Sequence, residues 1–286
     1  MAAFAVIVTV LFWGSAFTGI AIALEAFAPG PLALLRFGTA TLTLLAVAAV
    51  RRVSWPPRAA LPRLVAISLV GITAYHLMLN FGQQWVPPGT TAILIQTAPV
   101  FTALLASRFD GADVSRRAWA GIGIALLGTV VLVLGRGGDL AFTGGAALII
   151  GCAVATSVYF VFQRPLVAAH GVQAVTTWSI AIGTLPMLVF APGAIQQWSA
   201  CGALAPKIAV IYVGIFPAAL AYLAWNEAVR RLTAARAMVF LYLVPLVTIA
   251  TSWLWDGSLP TATSLLGGGI AMGGVVLVNT ERRRRG

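Results

Sequence analysis

PVFTALLASRFDG at residues 99–111 and PLVTIATSWLWDG at residues 245–257 stand 146 positions apart, and their correspondence decides how the chain folds. Without a gap, that shift superposes Pro99 on Pro245, Asp110 on Asp256 and Gly111 on Gly257, then Gly121 on Gly267, Gly123 on Gly269 and Gly128 on Gly274. It also puts Asn80 on Asn226, a match that apolar bias does not produce in a chain with three Asn. The chain therefore reads as two homologous halves, residues 1–140 and 141–286.

What each half is made of follows from composition. Hydrophobic residues are 60% of the 286 and charged residues 9%, with mean hydropathy +0.97. Soluble domains carry about a quarter charged residues, so a soluble enzyme, a nucleic-acid-binding domain and a disordered chain are disfavoured together. Apolar stretches of about 20 residues, each long enough for one bilayer crossing, lie near 2–24, 31–50, 62–85, 88–107, 117–135, 143–163, 173–191, 206–228, 234–255 and 260–280. The expected fold is an all-α integral membrane protein of ten transmembrane helices. The first stretch lacks a basic n-region and reads as a retained helix rather than a cleaved signal.

The net charge of +11 is loop charge. Arg51, Arg52, Arg58 and Arg63, then Arg108, Arg116, Arg117 and Arg164, then Arg230, Arg231, Arg236 and Arg282 to Arg285 all fall to one face of a ten-span arrangement, against Arg136 and Lys207 on the other. By the positive-inside rule both termini lie in the cytoplasm, in a cell (inner) membrane of bacterial type. With five spans per half, an odd number, the second half enters the bilayer upside down, giving two inverted five-helix repeats, an architecture used mostly by transporters.

Trp13-Gly14-Ser15-Ala16-Phe17, Pro31 with Arg36 and Phe37, and the Pro99-Val-Phe-Thr-Ala-Leu-Leu-Ala run resemble the EamA family of the drug/metabolite transporter superfamily, and Pro245 with the Gly267 to Gly274 cluster repeats the pattern. The resemblance covers essentially the whole chain. One departure is Asp110-Gly111 and Asp256-Gly257 where these repeats usually carry Gly-Glu. Within the family the chain is most similar to the YddG-type exporters of aromatic and other amino acids. The resemblance implies a secondary transporter working by alternating access, with export as its direction.

Polar side chains at membrane depth map the pathway, because each is costly unless it meets a partner or a wet cavity. The fifth and tenth spans have few, and many glycines, so they read as scaffold or as a homodimer contact, with a monomer equally compatible. Elsewhere the 146-residue shift pairs Trp13 with Tyr159, Phe17 with Gln163, His76 with Tyr222, Asn80 with Asn226 and Gln96 with Tyr242. His76 and Asn80, Tyr222 and Asn226, and Tyr159 and Gln163 are four apart and share a helix face. With Tyr75 and Trp178 these residues are the candidate cavity lining. Each has a plainer reading: the Asn pair as hydrogen-bonded cross-links, His76 as a core histidine, the aromatics as packing or interfacial belt. Arg36, inside the second span, reads as snorkelling or pairing with Glu25 in preference to capturing a carboxylate. Pro99 and Pro245 are candidate paired hinges, with static kinks as the alternative.

No GxxxxGK[ST] loop, HExxH or Ser/His/Asp set is present, and Cys152 and Cys201 offer no metal-ligand spacing. No enzyme activity, cofactor, metal or nucleic acid is expected. The partners are the bilayer and a small-molecule substrate, with amino acids preferred and a broad drug/metabolite facilitator or channel-like pore as the alternative.

Overall fold

The computed structural model describes residues 2–109, 116–134, 140–225 and 240–282, and all regular structure in them is helical. In chain order the helices are α1 (Ala2–Leu24), α2 (Pro29–Arg51), α3 (Arg58–Gly82), α4 (Pro88–Ile95), α5 (Ala98–Phe109), α6 (Arg116–Leu134), α7 (Leu140–His170), α8 (Val172–Ala200), α9 (Leu204–Trp225), α10 (Val244–Asp256) and α11 (Ala262–Arg282). Six helices among the described residues, Phe4–Leu24 within α1 and α2, α3, Thr143–His170 within α7, α8 and α9, are long and apolar enough to cross a membrane. Apolar surface is abundant outside as well as inside, as at Leu42, Val189, Leu246 and Leu254, which suits a hydrocarbon surround.

Prolines shape the irregular stretches. Pro99 has no N–H for the carbonyl of Ile95, and α4 ends at Ile95 with a turn before α5. Pro245 likewise has no N–H for the carbonyl of Leu241, and the chain before α10 tightens to the 3-10 turn Leu241–Leu243, in which the N–H of Val244 takes that carbonyl instead. Two π-helical stretches, Leu69–Ala74 in α3 and Phe216–Leu220 in α9, coincide under the 146-residue shift. Two helices outrun the expected boundaries. α7 passes through Pro165 to His170 because Leu166 beyond it is buried with Leu64, Ile67 and Val175. α8 absorbs Pro186 by tightening to a 3-10 stretch, Leu185–Phe190, and continues to Ala200.

Packing between the halves is reciprocal. α1 packs on α9 and α10, while α7 packs on α3, α4 and α5. α6 and α11 pack along each other. There a Cβ on Gly128 would collide with the backbone of Ala271 and Gly267, and one on Gly274 with that of Ala125 and Gly121. As the number rises on one helix it falls on the other, so α6 and α11 are antiparallel. The two contacts are also interchanged by the 146-residue shift. Gly121, Gly128, Gly267 and Gly274 are thus used within one chain, while Gly123, Gly269 and Gly273 have nothing within 4 Å of a Cβ.

Candidate functional site

A cavity of about 130 Å³ lies among α1, α2, α3, α4, α5, α7, α9 and α10. Its wall is made by Trp13, Ala16, Phe17 and Ile20 of α1, Arg36 of α2, Tyr75, His76 and Leu79 of α3, Ile95 of α4 and Gln96 just after it, Ala98 and Thr102 of α5, Thr156 and Phe160 of α7, Pro217 and Tyr222 of α9, Leu241, and Val244 of α10. Residues of α6 and α11 are not among them, in keeping with a scaffold role for that pair.

Six candidates meet here: Trp13, Phe17, Tyr75, His76, Gln96 and Tyr222. The Trp13 ring stands edge-on to Tyr222 at 5.5 Å, and its Nε1 donates to the carbonyl of Pro217 at 3.2 Å. His76 is buried, edge-on to Tyr75 at 4.5 Å and 4.1 Å from the Phe37 ring, and neither of its nitrogens has a hydrogen-bond partner among the described residues. The Gln96 amide donates to the carbonyl of Leu241, which also accepts the N–H of Val244 in the 3-10 turn before Pro245. Gln96 therefore ties the break between α4 and α5 to the turn before α10.

Other candidates sit elsewhere. Asn80 is fully buried away from the cavity and donates through Nδ2 to the carbonyl of Pro29 at 3.1 Å, which is the cross-linking reading. Tyr159 packs against Gly71 of the π-helical stretch and does not line the cavity. Gln163 is half-buried and also outside the lining. Trp178 donates from Nε1 to the carbonyl of Ser54 at 3.0 Å and meets Trp55 edge-on at 4.1 Å, so it anchors the segment between α2 and α3. Asn226 lies outside the described residues, as do the side chains of Tyr242 and Pro99. Pro99 stands in α5 and Pro245 in α10, each just after a helix break.

Arg36 is the residue sequence reasoning misjudged. It neither snorkels nor pairs with Glu25, which is exposed. Instead it is 4% exposed, lines the cavity, and lies over the Phe37 ring at 5.2 Å, with Nε and Nη1 unpartnered among the described residues. The missed signal was helical spacing: with Leu32 and Phe37 also fully buried, the face that carries Arg36 points inward.

The chemical character of the cavity is apolar and aromatic, with hydroxyls from Thr102, Thr156, Tyr75 and Tyr222, one amide, one imidazole and one guanidinium. No carboxylate contributes to the wall among the described residues.

The EamA-like transporter family model matches residues 1–134 and again 143–280. This chain belongs to that family. Among curated relatives, the uncharacterized transporter YdfC of Bacillus subtilis is 34% identical over 263 residues, 92% of this chain and 86% of that protein. A probable terminal-alkyne amino-acid exporter of Streptantibioticus cattleyicolor is 33% identical over 286 residues, 99% of this chain and 96% of its own. One solved protein structure superposes with TM-score 0.69 over 99% of this chain and 97% of its own at 21% identity, a likeness of fold alone. This EamA-like chain is accordingly a membrane-embedded transporter, and the cavity is its candidate solute site.

Proposed function

We propose that this transporter moves small amphipathic metabolites, amino acids foremost, outward across a bacterial inner membrane by alternating access between two inverted five-helix repeats, residues 1–140 and 141–286, spanning the bilayer ten times with both termini in the cytoplasm. Support for the repeat comes from the twofold family match, the coincident π-helical stretches and the interchangeable antiparallel contacts of α6 and α11. Two units related by an axis in the bilayer plane require such contacts.

The observation that carries alternating access is an asymmetry between corresponding helices. α1 faces the cavity with Trp13, Ala16, Phe17 and Ile20, whereas α7 faces it with Thr156 and Phe160. Under the 146-residue shift those two correspond to positions 10 and 14, about a turn earlier, and the counterparts of Trp13 and Phe17, Tyr159 and Gln163, are outside. Related helices thus occupy unlike positions around one cavity. If the two arrangements exchange, Tyr159 and Gln163 enter the wall as Trp13 and Phe17 leave it. The breaks before Pro99 and Pro245, coupled through Gln96, supply hinges for that exchange.

Cavity size favours amino acids over large drugs. A dry cavity of roughly 150 Å³ accepts a benzene, so about 130 Å³ fits one small ring or an aliphatic side chain. Outward direction is taken from the name of the Streptantibioticus relative, since alternating access is reversible and the gradients set the direction. The test is counterflow in liposomes with a panel of labelled amino acids: saturable uptake stimulated by unlabelled solute on the far side is expected. Flux that neither saturates nor shows trans-stimulation would replace the transporter by a channel-like pore.

A further inference from the structure

We infer that Arg36 is the anchor for a substrate carboxylate, so that the cavity selects small monocarboxylates with an apolar or aromatic side group, for which an α-amino group is optional. The inference rests on reading the cavity as the solute site. An arginine stays charged in a protein interior, and burying it without a partner is expensive. Here 96% of Arg36 is out of solvent's reach, since 4% remains exposed, and no acid among the described residues pairs with it. The Phe37 ring stabilises the charge through its face but takes none of the N–H groups. Nε and Nη1 lie on the two different carboxylate-binding edges of the planar fork, each edge completed by Nη2, so either edge offers an unpartnered donor to a carboxylate taken with two parallel bonds.

The rest of the wall decides what the carboxylate is attached to. Trp13, Phe17, Phe160 and Tyr222 offer apolar faces to a side group, and one guanidinium balances a single negative charge, not the several of a phosphorylated metabolite. Among the described residues no carboxylate lines the wall, so there an ammonium group gains only aromatic faces and hydroxyls. Recognition therefore depends on the acid and not on the amine.

Binding to the purified full chain in detergent, read by intrinsic tryptophan fluorescence and by thermal shift, separates the possibilities with three probes of one shape: phenylalanine, 3-phenylpropionate and phenethylamine, all at fixed chloride. Phenylalanine and 3-phenylpropionate are expected to bind with dissociation constants within about fivefold of each other, and phenethylamine roughly ten- to a hundredfold more weakly, the effect of one charge-assisted pair. Arg36→Gln should weaken both acids by that factor and leave phenethylamine unchanged, while Arg36→Lys, which keeps the charge but loses the fork, should fall between. If Arg36→Gln does not fold, the wild-type probe series and Arg36→Lys still decide. Equal binding of phenethylamine and 3-phenylpropionate, no carboxylate binding to the wild type, or acid binding unaltered by Arg36→Gln each overturns the inference. Flux without carboxylate preference would leave the transporter and remove Arg36 as anchor; carboxylate-selective binding without flux would do the reverse.

Discussion

The contact of α6 with α11 is where a single methyl group should be most informative. In Gly128→Ala the new Cβ would stand 2.3 Å from the backbone nitrogen of Ala271 and 2.6 Å from the carbonyl oxygen of Gly267, whereas ordinary contact begins at 3.4 Å, so the helices must part by about 1 Å. The obstacle is backbone on both sides, which cannot turn away as a side chain would. A gap of that size forfeits roughly a quarter to a half of each contact worth about 0.1–0.2 kcal/mol, and over on the order of 30 atom pairs this comes to about 1–2 kcal/mol, within the range of overpacked cores. Gly274→Ala meets the same obstacle at Gly121. One separation relieves both, so the double variant should lose less than the sum, with a coupling of at least about 0.5 kcal/mol. Gly123 is the control, because nothing lies within 4 Å of its missing Cβ. Thermal unfolding in detergent should show Gly128→Ala lower in Tm by roughly 2–8 °C and Gly123→Ala unchanged or raised. A Gly128→Ala protein as stable as Gly123→Ala, or strict additivity in the double variant, would refute the reciprocal packing.

Asn80→Ala removes the donor to the Pro29 carbonyl and should cost about 1–3 kcal/mol in stability, with solute affinity preserved; weakened binding at unchanged Tm would return Asn80 to the site. Gly257 closes α10 with φ 73° and its N–H donating to the carbonyl of Trp253 at 2.9 Å, so Gly257→Ala should lose about 1 kcal/mol in thermal unfolding and leave flux intact. His76→Ala should lower flux roughly fivefold, the worth of one neutral hydrogen bond to the solute, or flatten its dependence on pH; wild-type kinetics across pH 5 to 8 would make His76 a packing residue beside Phe37.

Much of the fold was legible because a bilayer leaves few options: apolar length, arginine placement and one ungapped shift led to helices whose observed breaks and glycine contacts follow that shift. The site was half legible. Helical spacing and the shift picked out Trp13, Phe17, His76, Gln96 and Tyr222, and aromatic character added Tyr75; all six meet in the cavity. The same shift also proposed Tyr159 and Gln163, which do not, because it assumes that related helices sit alike and α7 sits about a turn out of step with α1. Asn80 was ambiguous on principle: a buried amide looks the same in sequence whether it meets solute or the Pro29 carbonyl. Arg36 was misjudged because position along a helix gives depth, while the rotation of the helix, set by packing against α8 and α9, decides whether that depth faces lipid or cavity.

The hinge reading gains its weight from where the orphaned carbonyls go. A proline inside a membrane helix is tolerable only if the carbonyl it releases finds another donor. At Leu241 the backbone donor is the N–H of Val244 in the 3-10 turn, and the Gln96 amide, just after the end of α4, adds a second bond that joins the breaks of two corresponding segments across the cavity. A donor on a flexible side chain can exchange one acceptor for another as the helices shift, which a helical N–H cannot do without unwinding. If the breaks before Pro99 and Pro245 are the proposed hinges, the Gln96 bond between them couples the bending of one half to the other at the edge of the cavity.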